Sequence, residues 1–107
     1  MDLDFTTTTV GTRLVVALAG IADLSTAPLL HDHLRRTCSG HPGETIVIDL
    51  DGLIAIDDAA LGLLLGAAAR AREAGGDLEL VCSNERVRAR LASTRVDRCI
   101  AVRAAIA

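Results

Sequence analysis

A short apolar segment followed closely by a long, mostly apolar one is the feature that most limits how this chain can fold. Residues 45–50, Thr-Ile-Val-Ile-Asp-Leu, form a nearly continuous apolar run of strand length, a pattern typical of a central strand covered on both faces. Residues 59–74 contain no proline and stop before Gly75-Gly76, which predicts a helix with a glycine stop. Together the two segments predict a strand–helix unit of a mostly parallel sheet.

The rest of the chain extends this alternation in both directions. Runs of β-branched and apolar residues bounded by glycine predict strands, and a Ser, Thr or Asn before an apolar period predicts a helix start. The resulting order is β-β-α-β-α-β-α, with either a final short strand or an irregular C-terminus. The other predicted elements are strands over 6–10, over 13–19 (ended by Gly20) and over 78–82, a helix from Ser25 or Thr26 to about residues 38–40, a helix capped by Asn84 with Val87 and Leu91 on its apolar face, and the segment 99–102.

Length and composition predict a single soluble α/β domain spanning residues 1–107, since the chain is 50% hydrophobic and 23% charged. Phe5 is the only Phe, Tyr or Trp and the net charge is −3, so nucleic-acid binding is not expected. The chain begins with an acidic segment, and its longest uncharged apolar run, 59–69, is shorter than the roughly 20 residues that span a bilayer. We therefore expect a cytoplasmic protein without membrane insertion.

The cysteines and histidines predict neither a metal site nor a cofactor. Cys38, Cys82 and Cys99 are odd in number and include no Cys-x-x-Cys pair, so we interpret them as small buried residues or idle thiols, with redox sensing as the alternative. His31 and His33 are two residues apart on a predicted helix and point to different faces. The chain has no lysine and no glycine-rich phosphate loop, which argues against nucleotide hydrolysis.

Two adjacent carboxylates, Asp57 and Asp58, open the second predicted helix. The simplest interpretation is that one of them is the N-cap, because the first N–H groups of a helix lack partners. The turns that follow are apolar on every side, which indicates a helix that is wholly buried or that faces a partner, and we favour the partner. Asp23 also follows a strand, so we expect it at the same sheet edge as Asp57, with capping of the first helix as the alternative.

Two spaced motifs and a third segment match one known domain family. The first motif reads Asp-Leu-x-x-Leu-x-x-Ile-Asp over residues 49–57 and continues at Leu61-Gly62; the second reads Gly-x-x-Asp-x-x-Thr-Ala-Pro-x-Leu over residues 20–30. Residues 84–91 are similar to the family's helix after a strand. The chain thereby resembles the STAS domain, and within it the bacterial anti-sigma factor antagonists. This resemblance implies an α/β STAS-like fold with a mixed four- or five-stranded sheet and helices packed mainly on one side.

The resemblance further implies a regulatory protein that is not an enzyme. Its partner would be an anti-sigma factor or a serine kinase-like regulator, and binding would release a sigma factor by competition. One alternative is a STAS subunit of a membrane transporter assembly that docks on an ATPase; another is a redox-responsive regulator. The partner-binding residues implied are Asp23, Asp57, Asp58, Ala59, Ala60 and Leu61.

The chain departs from the family pattern where the antagonists are phosphorylated. The phosphorylated hydroxyl residue of the family corresponds to Ala59, the hydroxyl residue before it to Asp58, and the glycine after it to Ala60. Alanine has no oxygen to accept a phosphoryl group, so the resemblance implies a chain without the usual switch. Ala59 would mimic the unphosphorylated, binding-competent state, whereas the charge of Asp58 could oppose docking; we favour the competent state.

Overall fold

The five strands lie in a single sheet in chain order, β1-β2-β3-β4-β5, in the computed structural model, which describes residues 2–106. The β1–β2 hairpin is antiparallel, and the pairs from β2 to β5 are parallel. The strands are β1 Leu3–Val10, β2 Arg13–Ala22, β3 Thr45–Ile56, β4 Asp77–Val81 and β5 Ala101–Arg103; the helices are α1 Ala27–Gly40, α2 Asp58–Glu73, α3 Glu85–Ser93 and α4 Val96–Cys99.

All four helices contribute to one hydrophobic core on a single face of the sheet. Because the parallel strands follow one another in a single direction across the sheet, right-handed crossovers place every helix on the same side. Leu64 of α2 and Leu91 of α3 are buried there with Ile48 of the central strand. The predicted fold class is confirmed: a mixed sheet with helices packed mainly on one side. No helix within residues 2–106 is long and apolar enough to cross a bilayer.

The opposite face of the sheet has a smaller apolar cluster that no helix covers. Ile106, from the C-terminal segment, packs against it. Beside the cluster, Arg13 and Arg103 both donate hydrogen bonds to Oε1 of Glu79, at 2.9 and 3.1 Å. The central strand is thus buried on both faces, as its apolar run predicts, although only one cover is helical. The buried members of this cluster are Val15, Val47 and Val81.

Three features differ from the sequence-based expectations. Gly20 does not end β2: it adopts a φ of +110°, and the strand continues past a shift in register to Ala22. Residues 51–56, expected as a connection, extend β3 by pairing with the end of β2. The four-residue helix α4 was not predicted, because it is too short to show a helical period. The last strand, placed at 99–102, is formed by Ala101–Arg103.

β3 passes so close to β2 at Gly52 that a side chain has no room. A Cβ atom on Gly52 would lie 2.5 Å from the carbonyl oxygen of Leu18. We expect Gly52→Ala to lower the free energy of unfolding by about 1–3 kcal/mol, the usual range for overpacking. The matched control is Gly62→Ala on α2, where a Cβ would meet open space and where alanine should add about 0.5–1 kcal/mol of helix stability. Urea denaturation measures both, and an unchanged Gly52→Ala variant would contradict the close approach.

His33 of α1 stacks on Phe5 of β1, with ring centroids 4.1 Å apart and an angle of 11° between the planes. The Nε2 atom of His33 is buried and has no hydrogen-bond partner within the described residues. Burial, followed by the charge of Arg36, lowers the pKa of His33 below its usual 6.5. The folded state therefore binds this proton less readily than the unfolded state. The stability contributed by neutral His33 is present above pH 6.5 and is lost as the pH falls through the lower folded pKa.

We expect the free energy of unfolding to decrease as the pH falls below about 6.5, and to decrease less in His33→Phe. Phenylalanine retains an aromatic ring to stack on Phe5 but cannot take up a proton. Chemical denaturation in buffers of matched ionic strength measures the difference. His31→Phe is the control, because His31 lies on the same helix but is exposed. An equally steep pH dependence in His33→Phe and in the parent would contradict the assignment.

Candidate functional site

The carboxylate of Asp57 joins two turns at the edge of the sheet. Its Oδ1 atom accepts a hydrogen bond from the N–H of Ala60 at 3.0 Å, so the prediction that Asp57 or Asp58 caps α2 is confirmed for Asp57. Its Oδ2 atom accepts from the N–H of Leu24, in the turn between β2 and α1, also at 3.0 Å. The N–H of Asp57 donates to the carbonyl of Ala22 at 3.0 Å. One residue therefore fixes the start of α2 against the end of β2.

Asp23 holds the turn that precedes α1 and does not cap the helix, which begins after Thr26. Its Oδ1 atom accepts hydrogen bonds from the hydroxyl of Ser25 at 2.6 Å and from the N–H of Ser25 at 2.9 Å. The hydroxyl bond, together with bonds from the backbone, lowers the pKa of Asp23 below its usual 3.8. The N–H of Leu24, the next residue, binds Asp57, so the structure brings Asp23 and Asp57 to one edge of the sheet.

An apolar groove of about 310 Å³ opens between the first turns of α1 and α2. We call it the α1–α2 groove. The side chain of Leu24 is 75% exposed at its rim, although the backbone N–H of Leu24 is held by Asp57. Leu29, in the first turns of α1, is exposed as well. Exposed apolar side chains beside a groove are typical of interaction surfaces. The residues that line it are Leu24, Ala27, Pro28, His31, Ala59 and Leu63.

The other predicted site residues do not share one surface. Ala59 lines the α1–α2 groove, whereas Oδ1 of Asp58 accepts a hydrogen bond from Nη2 of Arg90 on α3 at 2.7 Å. Ala60 and Leu61 are buried in the core, so their side chains do not lie on the surface, contrary to the expectation that they contact a partner. Six residues of α2 are buried in all, and the helix borders the α1–α2 groove through Ala59 and Leu63.

The three cysteines are free thiols in this structure. Cys38 and Cys82 are buried and Cys99 is exposed. Burial raises the pKa of both the Cys38 and the Cys82 thiol, which keeps them in the unreactive thiol form. No group of three or more His, Cys, Asp or Glu side chains suited to a metal ion forms within residues 2–106. The geometry therefore gives no support to redox regulation at the two buried residues.

Sequence reasoning missed a second groove, of about 220 Å³, between the end of β3 and α3. We call it the Ile54 groove, after the half-exposed side chain of Ile54 at its rim. The sequence pattern predicts a connection at this point and assigns no face to it. The apolar residues at 53, 54 and 56, which continue the pattern of β3, are the signal that could have revealed it. The residues that line it are Ile54, Ala55, Ile56, Arg86, Val87 and Arg90.

The two oxygens of Asp57 have separable roles, which substitutions can test. Asp57→Ala removes both acceptors, and we expect it to lower the free energy of unfolding by about 1–2 kcal/mol, as for other N-caps. Asp57→Asn keeps one acceptor for the cap but replaces the other with an amide donor. We expect Asp57→Asn to lower the free energy of unfolding less than Asp57→Ala does. It should still speed hydrogen exchange at the N–H of Leu24, because this N–H loses its acceptor.

Amide exchange followed by NMR, together with urea denaturation, checks this prediction. Asp4→Ala is the matched control, since Asp4 is an exposed carboxylate on β1. Unchanged exchange at Leu24 in both Asp57 variants would show that the bond between the two turns does not order the loop.

A protein-family model described as "Mlab, STAS domain" matches residues 5–103. No curated protein sequence matches the chain at a significant level. An anti-sigma factor antagonist from Mycobacterium paratuberculosis has a similar solved structure, with a TM-score of 0.87 at 19% identity over 97% of this chain and 87% of that one.

Two further solved structures have the same fold. An anti-sigma-factor antagonist (STAS) domain protein from Planctomyces limnophilus gives a TM-score of 0.78 at 16% identity, covering 96% of this chain and 89% of that one. The Bacillus cell fate determinant SpoIIAA in its phosphorylated form gives 0.67 at 18%, covering 92% and 90%. Identities at this level demonstrate a shared fold only. The family model, however, spans nearly all of the described residues, and the chain therefore belongs to the STAS domain family.

Proposed function

We propose that this chain is a non-enzymatic, cytoplasmic regulator that binds an anti-sigma factor or a serine kinase-like regulator through the α1–α2 groove. The observation that carries the proposal is Leu24, whose side chain is 75% exposed while its backbone is bonded to Asp57. An apolar anchor that is already held in place loses little conformational entropy on binding. The fold shared with anti-sigma factor antagonists supports this class of partner.

Asp23, Asp57 and the exposed start of α2 complete the proposed contact surface. Asp57 and Asp23 act mainly by holding the turn, since their oxygens accept hydrogen bonds from it. Ala59 forms part of the groove wall. Ala60 and Leu61 support that wall from the core.

Ala59 and Asp58 together favour a permanently competent regulator. A phosphorylated residue in the position of Ala59 would place roughly two negative charges in the groove, but alanine has no hydroxyl to be modified. The carboxylate of Asp58 is bonded to Arg90, and neither residue lines the α1–α2 groove. The groove therefore keeps an uncharged wall, and regulation would act through protein abundance or through modification elsewhere.

A second candidate function is that of a STAS subunit that docks on the ATPase of a membrane transporter assembly. The family model that matches the chain is described as "Mlab, STAS domain", not as an antagonist. The absence of a hydroxyl at Ala59 also suits a permanent subunit, which has no need of a phosphorylation switch. The same groove would bind the partner in both cases, so the identity of the partner separates the two functions.

The test is a binding titration of the purified chain against the anti-sigma factors, serine kinase-like regulators and transporter ATPases encoded in the same genome. We expect Leu24→Asp and Ala59→Glu each to weaken binding by about tenfold or more, as for residues at the centre of an interface. A glutamate in the first turn of a helix is compatible with the helix dipole, so Ala59→Glu should remain folded.

The matched control is Thr8→Glu, which adds the same charge to an exposed position on β1 and should leave binding unchanged. Binding to a kinase-like regulator that both groove variants weaken supports the first function, and binding to an ATPase with the same pattern supports the second. Equal affinities for the parent chain, Leu24→Asp and Ala59→Glu would overturn the assignment of the α1–α2 groove.

A further inference from the structure

The Ile54 groove combines aliphatic walls with two guanidinium groups. Ile54 is 53% exposed, and it is one of four large hydrophobic residues exposed within residues 2–106. Arg86 and Arg90 project from α3 beside it. The wall contains no aromatic side chain on which a nucleic-acid base could stack. An apolar slot edged by arginines fits a ligand that has an aliphatic group next to an anionic group.

The two arginines have unused hydrogen-bonding capacity. Within the described residues, the guanidinium of Arg86 has no hydrogen-bond partner, and that of Arg90 donates one bond, from Nη2 to Asp58. The Nε atom of Arg90 is buried and has no partner. A guanidinium normally presents a fork of donors that matches both oxygens of a carboxylate. A second carboxylate at this groove would therefore find donors already in place.

The surrounding charge also selects an anionic ligand. Residues 85–98 contain five of the eleven basic residues of the chain and two acidic residues, Glu85 and Asp97. The net charge of the whole chain is −3, so this net positive segment contrasts with the acidic remainder of the chain. Local charge of this kind steers oppositely charged partners and sets their orientation.

We propose that the Ile54 groove binds an acidic peptide segment of the partner protein. An aliphatic side chain of the segment packs on Ile54 and Val87, and a neighbouring carboxylate binds Arg90 and Arg86. This inference rests on the proposed function, because the segment belongs to the protein that docks on the α1–α2 groove. A partner that contacts both grooves at once would gain affinity through effective concentration, without requiring either contact to be strong.

Asp58 acts as an internal competitor for this segment. Its side chain is 82% exposed and bonds Arg90 through one oxygen at 2.7 Å. An exposed ion pair contributes little free energy, so an incoming carboxylate can displace it. Removing the charge of Asp58 should therefore strengthen binding of an acidic ligand, an effect opposite in sign to the loss of Arg90.

The probe is the blocked peptide Ac-Glu-Leu-Leu-Glu-NH2, titrated into the isotope-labelled chain and followed by NMR. We expect saturable shifts at the amides of Ile54, Ala55 and Arg86, and at least about threefold weaker binding of the neutral peptide Ac-Gln-Leu-Leu-Gln-NH2. Arg90→Gln should weaken binding of the acidic peptide by about threefold or more, and Asp58→Asn should strengthen it by about twofold. Arg98→Gln is the matched control, since Arg98 is exposed on α4 and lines neither groove.

The variants separate this inference from the proposed function. Leu24→Asp changes only the α1–α2 groove, so the peptide should bind this variant with unchanged affinity even when the partner does not. Saturable shifts that Arg90→Gln weakens and Asp58→Asn strengthens support the site. Absence of saturable shifts, equal binding of the acidic and neutral peptides, or shifts reproduced by inorganic phosphate alone would each overturn it.

Discussion

One carboxylate, that of Asp57, joins the start of α2 to the turn before α1. Its Oδ1 atom caps α2, and its Oδ2 atom accepts a hydrogen bond from the N–H of Leu24. The parallel pairing of β2 with β3 creates the need for such a residue, because it brings two strand ends and the turns that follow them to one edge of the sheet. A helix start and a tight turn both present N–H groups without partners. A carboxylate can serve both at once, and its position fixes how far Leu24 projects beside α2.

The length of β3 creates the second surface. β4 ends at Val81, opposite Asp49, so the last residues of β3 pair only with β2, and their other side is open towards α3. Asp51 bridges this gap at one point, where its Oδ1 atom accepts hydrogen bonds from the N–H groups of Ser83 and Asn84 at 2.6 and 3.3 Å. Beyond that bridge, β3 has no strand on the side that faces α3. The Ile54 groove lies on the α3 side of this strand end, and the α1–α2 groove lies beside the start of the helix that follows it.

Local signals in the sequence predicted much of this arrangement. Asn84 accepts from the N–H groups of Arg86 and Val87, as an N-cap should, and the apolar pair Val87 and Leu91 is buried. The meeting of Asp23 and Asp57 followed from the topology of parallel strands. The continuation of β2 through Gly20 did not, because glycine has no strand propensity and the pairing with β3 maintains the strand. For residues 51–56 the apolar positions 53, 54 and 56 were a signal, but the pairing with β2 makes them a strand.

The face of α2 that is buried could not be predicted from the sequence, for a related reason. A helix that is apolar on every side has no periodic contrast, so its sequence does not indicate which residues face the sheet. Packing decides the matter: it turns Ala60 and Leu61 inward and leaves Ala59 in the α1–α2 groove. The resemblance to a family aligned these three positions but carried no information on their exposure in this chain.

Asp58 precedes Ala59 of the α1–α2 groove in the chain and accepts a hydrogen bond from Arg90 of the Ile54 groove. The surroundings of its carboxylate determine the effect of its charge. The N-terminus of α2 stabilises a carboxylate there, and the bond to Arg90 draws it towards α3. Because the pair is exposed, solvent screens it and its rupture costs little. A partner that supplies its own carboxylate to Arg90 releases Asp58 without disturbing the Asp57 cap. Alanine at position 59 has no hydroxyl, so in the proposed function the Asp58–Arg90 pair is the charged contact in this turn that a partner would displace.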